Sequence, residues 1–167
     1  MEIKDNFLEK KDFDELQTLM MGANFAWYFN KVIDDQNDLN KFQFTHTFYK
    51  NFNSQSQFLG RLDPLIIKMK IISLWRIKAN LLTKTPYIVV NRFHVDVGYL
   101  STEKAKQWTT SIFYINSNNG YTEFEDGTKV ESIANRFVSF PANIEHRGTS
   151  CTDEKTRVLI NFNYFKQ

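Results

Sequence analysis

Residues 73–165 alternate apolar with polar or small side chains in short runs, broken at close spacing by turn sequences. A period of two can only be accommodated by strands, because successive side chains point to opposite faces. Residues 73–82 (SLWRIKANLL) show it most clearly: Leu74, Arg76, Lys78, Asn80 and Leu82 fall on one face, and Trp75, Ile77, Ala79 and Leu81 on the other. Further strands are expected over residues 89–97, 108–116, 121–124, 129–131, 136–140 and 157–164. Asn118-Asn119-Gly120, Asp126-Gly127, Pro141-Ala142-Asn143 and His146-Arg147-Gly148 supply the turn chemistry between them. Seven short strands at this spacing imply a mainly β fold, an antiparallel sandwich or jelly roll. The 16 Phe and 7 Tyr in 167 residues point the same way, since aromatic residues favour strands.

The first 72 residues read differently. A short strand over 3–7 precedes a helix over 12–21, where Phe13, Leu16, Leu19 and Met20 share a stripe and Asp12 with Glu15 suggests a capping box. Residues 25–29 (FAWYF) and 42–48 read as strands, the latter with Phe42, Phe44, His46 and Phe48 on one face. Residues 54–70 read as a helix kinked or delayed by Pro64. The expectation is one domain over residues 1–167: a helical and mixed support region (1–72) packed on one face of a jelly-roll core (73–165).

Three histidines are present: His46, His94 and His146. In Phe93-His94-Val95-Asp96 an imidazole and a carboxylate lie two apart, which on a strand puts both on one face. His146, at a turn before the last strand, can complete a set of two histidines and one carboxylate, the facial triad of non-haem iron(II) oxygenases. Zinc accepts the same ligands, so ligand type alone does not name the metal. Arg157 opens the apolar strand RVLINFNYF. A guanidinium there is costly to bury unless an anion meets it, and its planar fork suits a carboxylate. His46, between Phe44 and Phe48, reads as a packed or solvated residue.

The order of these elements carries a resemblance. FHVD at 93–96, TTSIFYIN at 109–116, NNGYTEFEDG at 118–127, NRFVSFPANIEHRG at 135–148 and TRVLINFNYF at 156–165 together resemble the 2-oxoglutarate/Fe(II)-dependent oxygenase superfamily, closest to its prolyl-4-hydroxylase-like branch and small viral and bacterial relatives. The resemblance implies a double-stranded β-helix of cupin-like jelly-roll type, with Fe(II), 2-oxoglutarate and O2 as cofactor and co-substrates. It implies that His94, Asp96 and His146 hold the metal and that Arg157 holds 2-oxoglutarate, helped by the Tyr114 hydroxyl. Asn80 and Arg76, on the strand before H-x-D, and Asn161, on the face of Arg157, are further candidates to line the pocket. The implied reaction couples oxidative decarboxylation of 2-oxoglutarate to hydroxylation of an unidentified substrate, a peptide side chain or a small molecule. Residues 22–60 and 101–107 are expected to shape the substrate mouth. The turn carries one glycine where the branch often has two, and Arg147 is a second guanidinium that could compete for the anchoring role. Asp96 in the acidic position argues against the halide-binding variation.

Two other readings remain open at this stage: a cupin-like small-molecule binding module without turnover, and a zinc hydrolase on the same ligands with Glu145 as base. Net charge of +2 with scattered Lys and Arg gives no strong nucleic-acid signal. The single cysteine, Cys151, permits neither an internal disulfide nor a cysteine zinc site. No run approaches the roughly 18 apolar residues of a membrane span. A charged N-terminus without an apolar core points to a cytoplasmic setting.

Overall fold

The structure, a computed structural model, describes residues 1–33, 41–98 and 101–166. All strand pairings are antiparallel, in two sheets. The strands are β1 (Glu2–Lys4), β2 (Tyr28–Asn30), β3 (Gln43–Lys50), β4 (Asn53–Ser54), β5 (Ile71–Thr83), β6 (Thr109–Tyr114), β7 (Tyr121–Phe124), β8 (Lys129–Glu131), β9 (Phe137–Pro141), β10 (His146–Gly148) and β11 (Thr156–Lys166). The helices are α1 (Lys10–Met21), α2 (Asp63–Lys68) and the single turn α3 (Thr102–Ala105). The large sheet runs β1-β9-β6-β11-β5-β3-β2 with β4 paired to β3, and the small sheet runs β10-β7-β8.

The layers follow from the alternation. On β5 and β11, Ile77, Ala79, Val158, Ile160 and Phe162 face outward into a core closed by Phe13, Leu16 and Met20 of α1 and by Leu62, Leu65 and Met69 around α2. These helices cover one face of the large sheet, which removes their apolar stripes from water. Phe113 lies at the centre of this layer, fully buried between Phe7 and Phe13 at 6.3 and 6.1 Å. The opposite face meets the small sheet through Ile112, Tyr114, Phe124, Val130, Val138, Phe140 and Leu159. Asn135 ties the N-terminus to this frame: at φ 63° it accepts from Leu8 N (2.8 Å) and donates to Leu8 O (2.9 Å). Asparagine tolerates that left-handed conformation better than most residues.

Several local expectations change. Residues 89–97 do not form a strand; the segment makes only isolated bridges, Val90 to Thr149 and His94 to His146. The α1 helix begins at Lys10 after Glu9, with no side-chain cap, so the Asp12–Glu15 capping box is absent. The expected helix over 54–70 is shorter: a 3-10 turn at Leu59–Leu62 leads into α2, where Pro64 sits in the first turn and needs no amide partner. Leu74 packs with the outer core rather than beside Arg76. The β5–β11 register slips between Asn163 and Tyr164, leaving Trp75 as an extra residue that reverses the alternation. Phe42 is exposed while Gln43 is buried, because β3 begins one residue later with Gln43 turned to the interior. Strands β1, β2 and β3 also join the large sheet itself, with β3 paired along β5.

Candidate metal centre and anion cleft

One cleft between the two sheets gathers the candidate residues. His94, Asp96 and His146 line it together with Lys78, Asn80, Asn161 and Arg157. Ligand atoms of His94, Asp96 and His146 all lie within 4.8 Å of one another. Bonds of about 2.0–2.2 Å to one divalent ion would draw these atoms closer together. The three converge by different means. His146 opens β10, paired to Phe124 of β7. His94 is bridged to it backbone to backbone in both directions at 3.0 Å. Asp96 follows in a turn, so convergence comes from this bridge and turn, not from strand alternation.

The imidazole of His146 is buried against Phe140 at 4.9 Å, and burial holds its pKa below the ordinary histidine value. A neutral imidazole is the form that binds metal. For Asp96, burial alone would raise the pKa. The positive charge of Arg76, with His146, His94 and Lys78, wins and holds the carboxyl far below the usual range. Arg76 Nη2 lies 2.9 Å from Asp96 Oδ1, an ion pair without hydrogen-bond alignment. Arg76 Nε donates to Asn163 Oδ1 (3.0 Å), and Asn163 Nδ2 donates to Asp96 Oδ2 (3.2 Å). The carboxylate is thereby held from behind by a fixed triangle.

Arg157 is 1% exposed and has no carboxylate within ion-pair distance among the described residues. Its Nε donates to Ser132 Oγ (2.7 Å), Nη1 to Thr149 O (3.3 Å) and Nη2 to Thr122 Oγ1 (3.2 Å). A guanidinium has five N–H donors, so one on each terminal nitrogen is left over. Tyr114 is buried beneath it, with the guanidinium 5.7 Å from the ring centre and the hydroxyl donating to Thr122 Oγ1 (2.8 Å). Thr122 Oγ1 thus accepts twice, and its own proton remains available to an acceptor in the cleft. Arg147, the rival guanidinium, is already neutralised: Nη2 and Nε lie 2.7 and 2.8 Å from Glu123 Oε2, and its face stacks on Phe93 at 4.2 Å.

Gly120 makes room for Arg157. A Cβ there would lie 2.6 Å from Arg157 Cδ and 2.7 Å from Ser150 O, and backbone on one side cannot yield. Gly120→Ala is expected to destabilise the protein by about 1–3 kcal/mol and to displace the guanidinium. Thermal melts, and chemical shifts of the Arg157 side chain, check this.

The remaining candidates divide. The side-chain oxygens of Asn80 and Asn161, both buried in the cleft, have no hydrogen-bond partner among the described residues. His46 is a packed residue: its ring nitrogens reach Ala26 O (2.7 Å) and Ser56 Oγ (2.8 Å), and Phe25 lies at 4.3 Å. Ile33 and Gln43 line the cleft, whereas residues 34–40, within the stretch expected to shape the mouth, lie outside the described residues. Residues 101–107 do not line the cleft; Ala105 packs with Val97 and Ala142 instead. Sequence reasoning missed Thr122, Ser132, Asn163 and Asn91 as residues of the site. Asn163 carried a signal: it falls on the same alternation as Arg157 and Asn161, a polar residue on an apolar strand.

No family model and no curated protein matches the sequence. Solved structures do. A prolyl-4-hydroxylase from Pseudomonas putida superposes with a TM-score of 0.64 at 12% identity, over 99% of this chain and 92% of that one. A prolyl hydroxylase from Trichoplax adhaerens, in complex with a hypoxia inducible factor peptide fragment, gives 0.65 at 14% identity, over 98% and 82%. The α-ketoglutarate-dependent epimerase SnoN of nogalamycin biosynthesis gives 0.70 at 14% identity, over 98% and 75%. The likeness is one of fold: the chain has the double-stranded β-helix of the prolyl-4-hydroxylase-like 2-oxoglutarate/Fe(II) oxygenases.

Proposed function

We propose that the protein is a non-haem iron(II) dioxygenase that couples oxidative decarboxylation of 2-oxoglutarate to hydroxylation of a second substrate. One observation carries the reading: a two-histidine, one-carboxylate set shares its cleft with a buried guanidinium that has no counter-ion among the described residues. A metal site alone fits many roles, and a buried unpaired cation is expensive. Their juxtaposition suits a ligand that is both metal chelator and distant carboxylate.

In this reading His94, Asp96 and His146 hold one face of the iron and leave adjacent positions open. Arg76 and Asn163 orient Asp96. Arg157 grips the distal carboxylate of 2-oxoglutarate through its two spare N–H groups, Thr122 donates its hydroxyl proton to the same carboxylate, and Tyr114 fixes Thr122 and covers the guanidinium. Iron held there would supply the redox chemistry, with dioxygen as the oxidant: one oxygen atom would enter succinate as 2-oxoglutarate loses carbon dioxide, and the other a C–H bond of the second substrate. The SnoN structure that contains Fe3+ and α-ketoglutarate, and the Trichoplax enzyme with its peptide, support a substrate that is a small molecule or a peptide side chain. A zinc hydrolase would need a base beside the metal, and Glu145 is exposed and does not line the cleft. Among the described residues no helix is long and apolar enough to cross a membrane.

Oxygen-free protein with Fe(II) and 2-oxoglutarate is expected to show a weak visible charge-transfer band, and zinc-loaded protein none, because zinc has a filled d-shell. Under air the iron-loaded protein should form succinate slowly without added substrate. Folded, iron-loaded protein with no band at saturating 2-oxoglutarate would leave a binding module without turnover as the better reading.

A further inference from the structure

The cleft holds more positive charge than iron and 2-oxoglutarate require. Asp96 is the sole acidic residue lining it among the described residues, and Arg76 already pairs with Asp96. Arg157 answers the distal carboxylate. That leaves Lys78, in the middle of β5 and opposite Asn161 of β11. Lys78 lines the cleft, yet no hydrogen bond or ion pair reaches its ammonium among the described residues. Burial, and then repulsion from Arg76, bring its pKa down to about 8. A ferrous ion and a 2-oxoglutarate dianion cancel each other in net charge, so binding both leaves the cleft positive, with no anionic group placed against the Lys78 ammonium. A neutral second substrate would leave it so in a site from which water is being displaced.

Position separates Lys78 from Arg157. Arg157 is paired with Leu82, four residues along β5 from Lys78, about 13 Å at the usual rise per strand residue. Lys78 lies instead one alternation from Arg76, beside the metal ligands. Asn80 and Asn161 flank it, each with an unpartnered side-chain oxygen that calls for a donor. Resting on the oxygenase reading above, we infer that the second substrate carries an anionic group, a carboxylate or a phosphate, which Lys78 receives beside the metal while Asn80 and Asn161 accept hydrogen bonds from neighbouring N–H or O–H groups of the same molecule. Lys78 is then the residue that sets substrate charge.

The test is calorimetric binding to oxygen-free, iron-loaded protein saturated with 2-oxoglutarate. The probes are matched pairs of blocked amino acids: aspartate with asparagine, glutamate with glutamine, and phosphoserine with serine. At least one acidic probe should bind about tenfold or more tightly than its neutral partner, as a charge-assisted contact allows. The pair that discriminates tells carboxylate from phosphate. Lys78→Met should collapse the ratio to about one, and Lys78→Arg, which keeps the charge, should preserve it. Three results would overturn the inference: no acidic probe preferred, a preference that survives in Lys78→Met, or a Lys78→Met protein whose only change is weaker 2-oxoglutarate binding. If 2-oxoglutarate itself does not bind, the oxygenase reading fails. The same titration on metal-free protein then still shows whether Lys78 discriminates by charge.

Discussion

Replacing Arg157 with methionine is expected to raise the 2-oxoglutarate concentration for half-saturation by about thirtyfold or more, without destabilising the metal-free protein. The first half follows from the contact being removed. Taking one partner from a buried, hydrogen-bonded charge pair costs about 2–5 kcal/mol, or about thirty- to several-thousandfold in binding. The second half follows from the absence of a counter-ion among the described residues. A guanidinium 1% exposed and satisfied only by Ser132, Thr149 and Thr122 is a cost to the folded chain. Apolar side chains of similar volume commonly hold such positions as well or better. A residue retained for structure shows the reverse pattern, with stability falling alongside function. Thermal melts with and without 2-oxoglutarate, in manganese-loaded protein, separate the two. The parent should gain stability from ligand by mass action, and Arg157→Met should start equal or higher and gain little. Arg147→Ala should change 2-oxoglutarate binding less than about threefold, since a partly exposed pair with Glu123 contributes little to a distant ligand. Equal 2-oxoglutarate constants in the parent and Arg157→Met would move the anchor elsewhere.

The same chemistry explains which parts of the fold were legible in the sequence. Strands β5, β6, β7, β9 and β11 were readable because each has one face in a core and one in the cleft or opposite layer, so burial is written into alternate residues. Residues 89–97 show the same composition but form no strand. Asn91, His94 and Asp96 of the segment line the cleft, and its backbone is tied by single bridges to Thr149 and His146. His94 and Asp96 were thus identified by residue type, whereas the geometry that unites them was not. The pairing of β3 along β5 was invisible because register between distant strands depends on contacts that local periodicity does not encode. Polar residues were legible where they interrupt apolar strands, as at Arg157 and Asn161. Thr122 and Ser132 were not, because a hydroxyl in a strand or turn looks ordinary until a buried guanidinium needs it. Lys78 stood on the right face of β5, but only the structure shows that its ammonium has no hydrogen-bond or ion-pair partner among the described residues.

Alanine at His94, Asp96 or His146 should abolish iron-dependent succinate formation in each case, yet the three should differ in stability. His94 lines the cleft, and its ring makes one hydrogen bond among the described residues, 3.1 Å to Arg92 O, beside a ring contact with His146 at 4.9 Å. His94→Ala should therefore lose iron while staying within about 1 kcal/mol of the parent, because little of the fold rests on a side chain with a single hydrogen bond. Asp96→Ala removes the anion that Arg76 and Asn163 share and leaves Arg76 beside Lys78, so metal-free stability should fall by about 1–3 kcal/mol. Adding Arg76→Met to Asp96→Ala should recover part of that loss, because the unpaired guanidinium is gone, while iron binding stays absent. The coupling energy of that double-mutant cycle, measured by denaturant melts on metal-free protein, should fall within about 0.5–3 kcal/mol. Additivity within error would mean that Arg76 does not hold Asp96 in solution, and wild-type turnover in all three alanine variants would remove the metal assignment altogether.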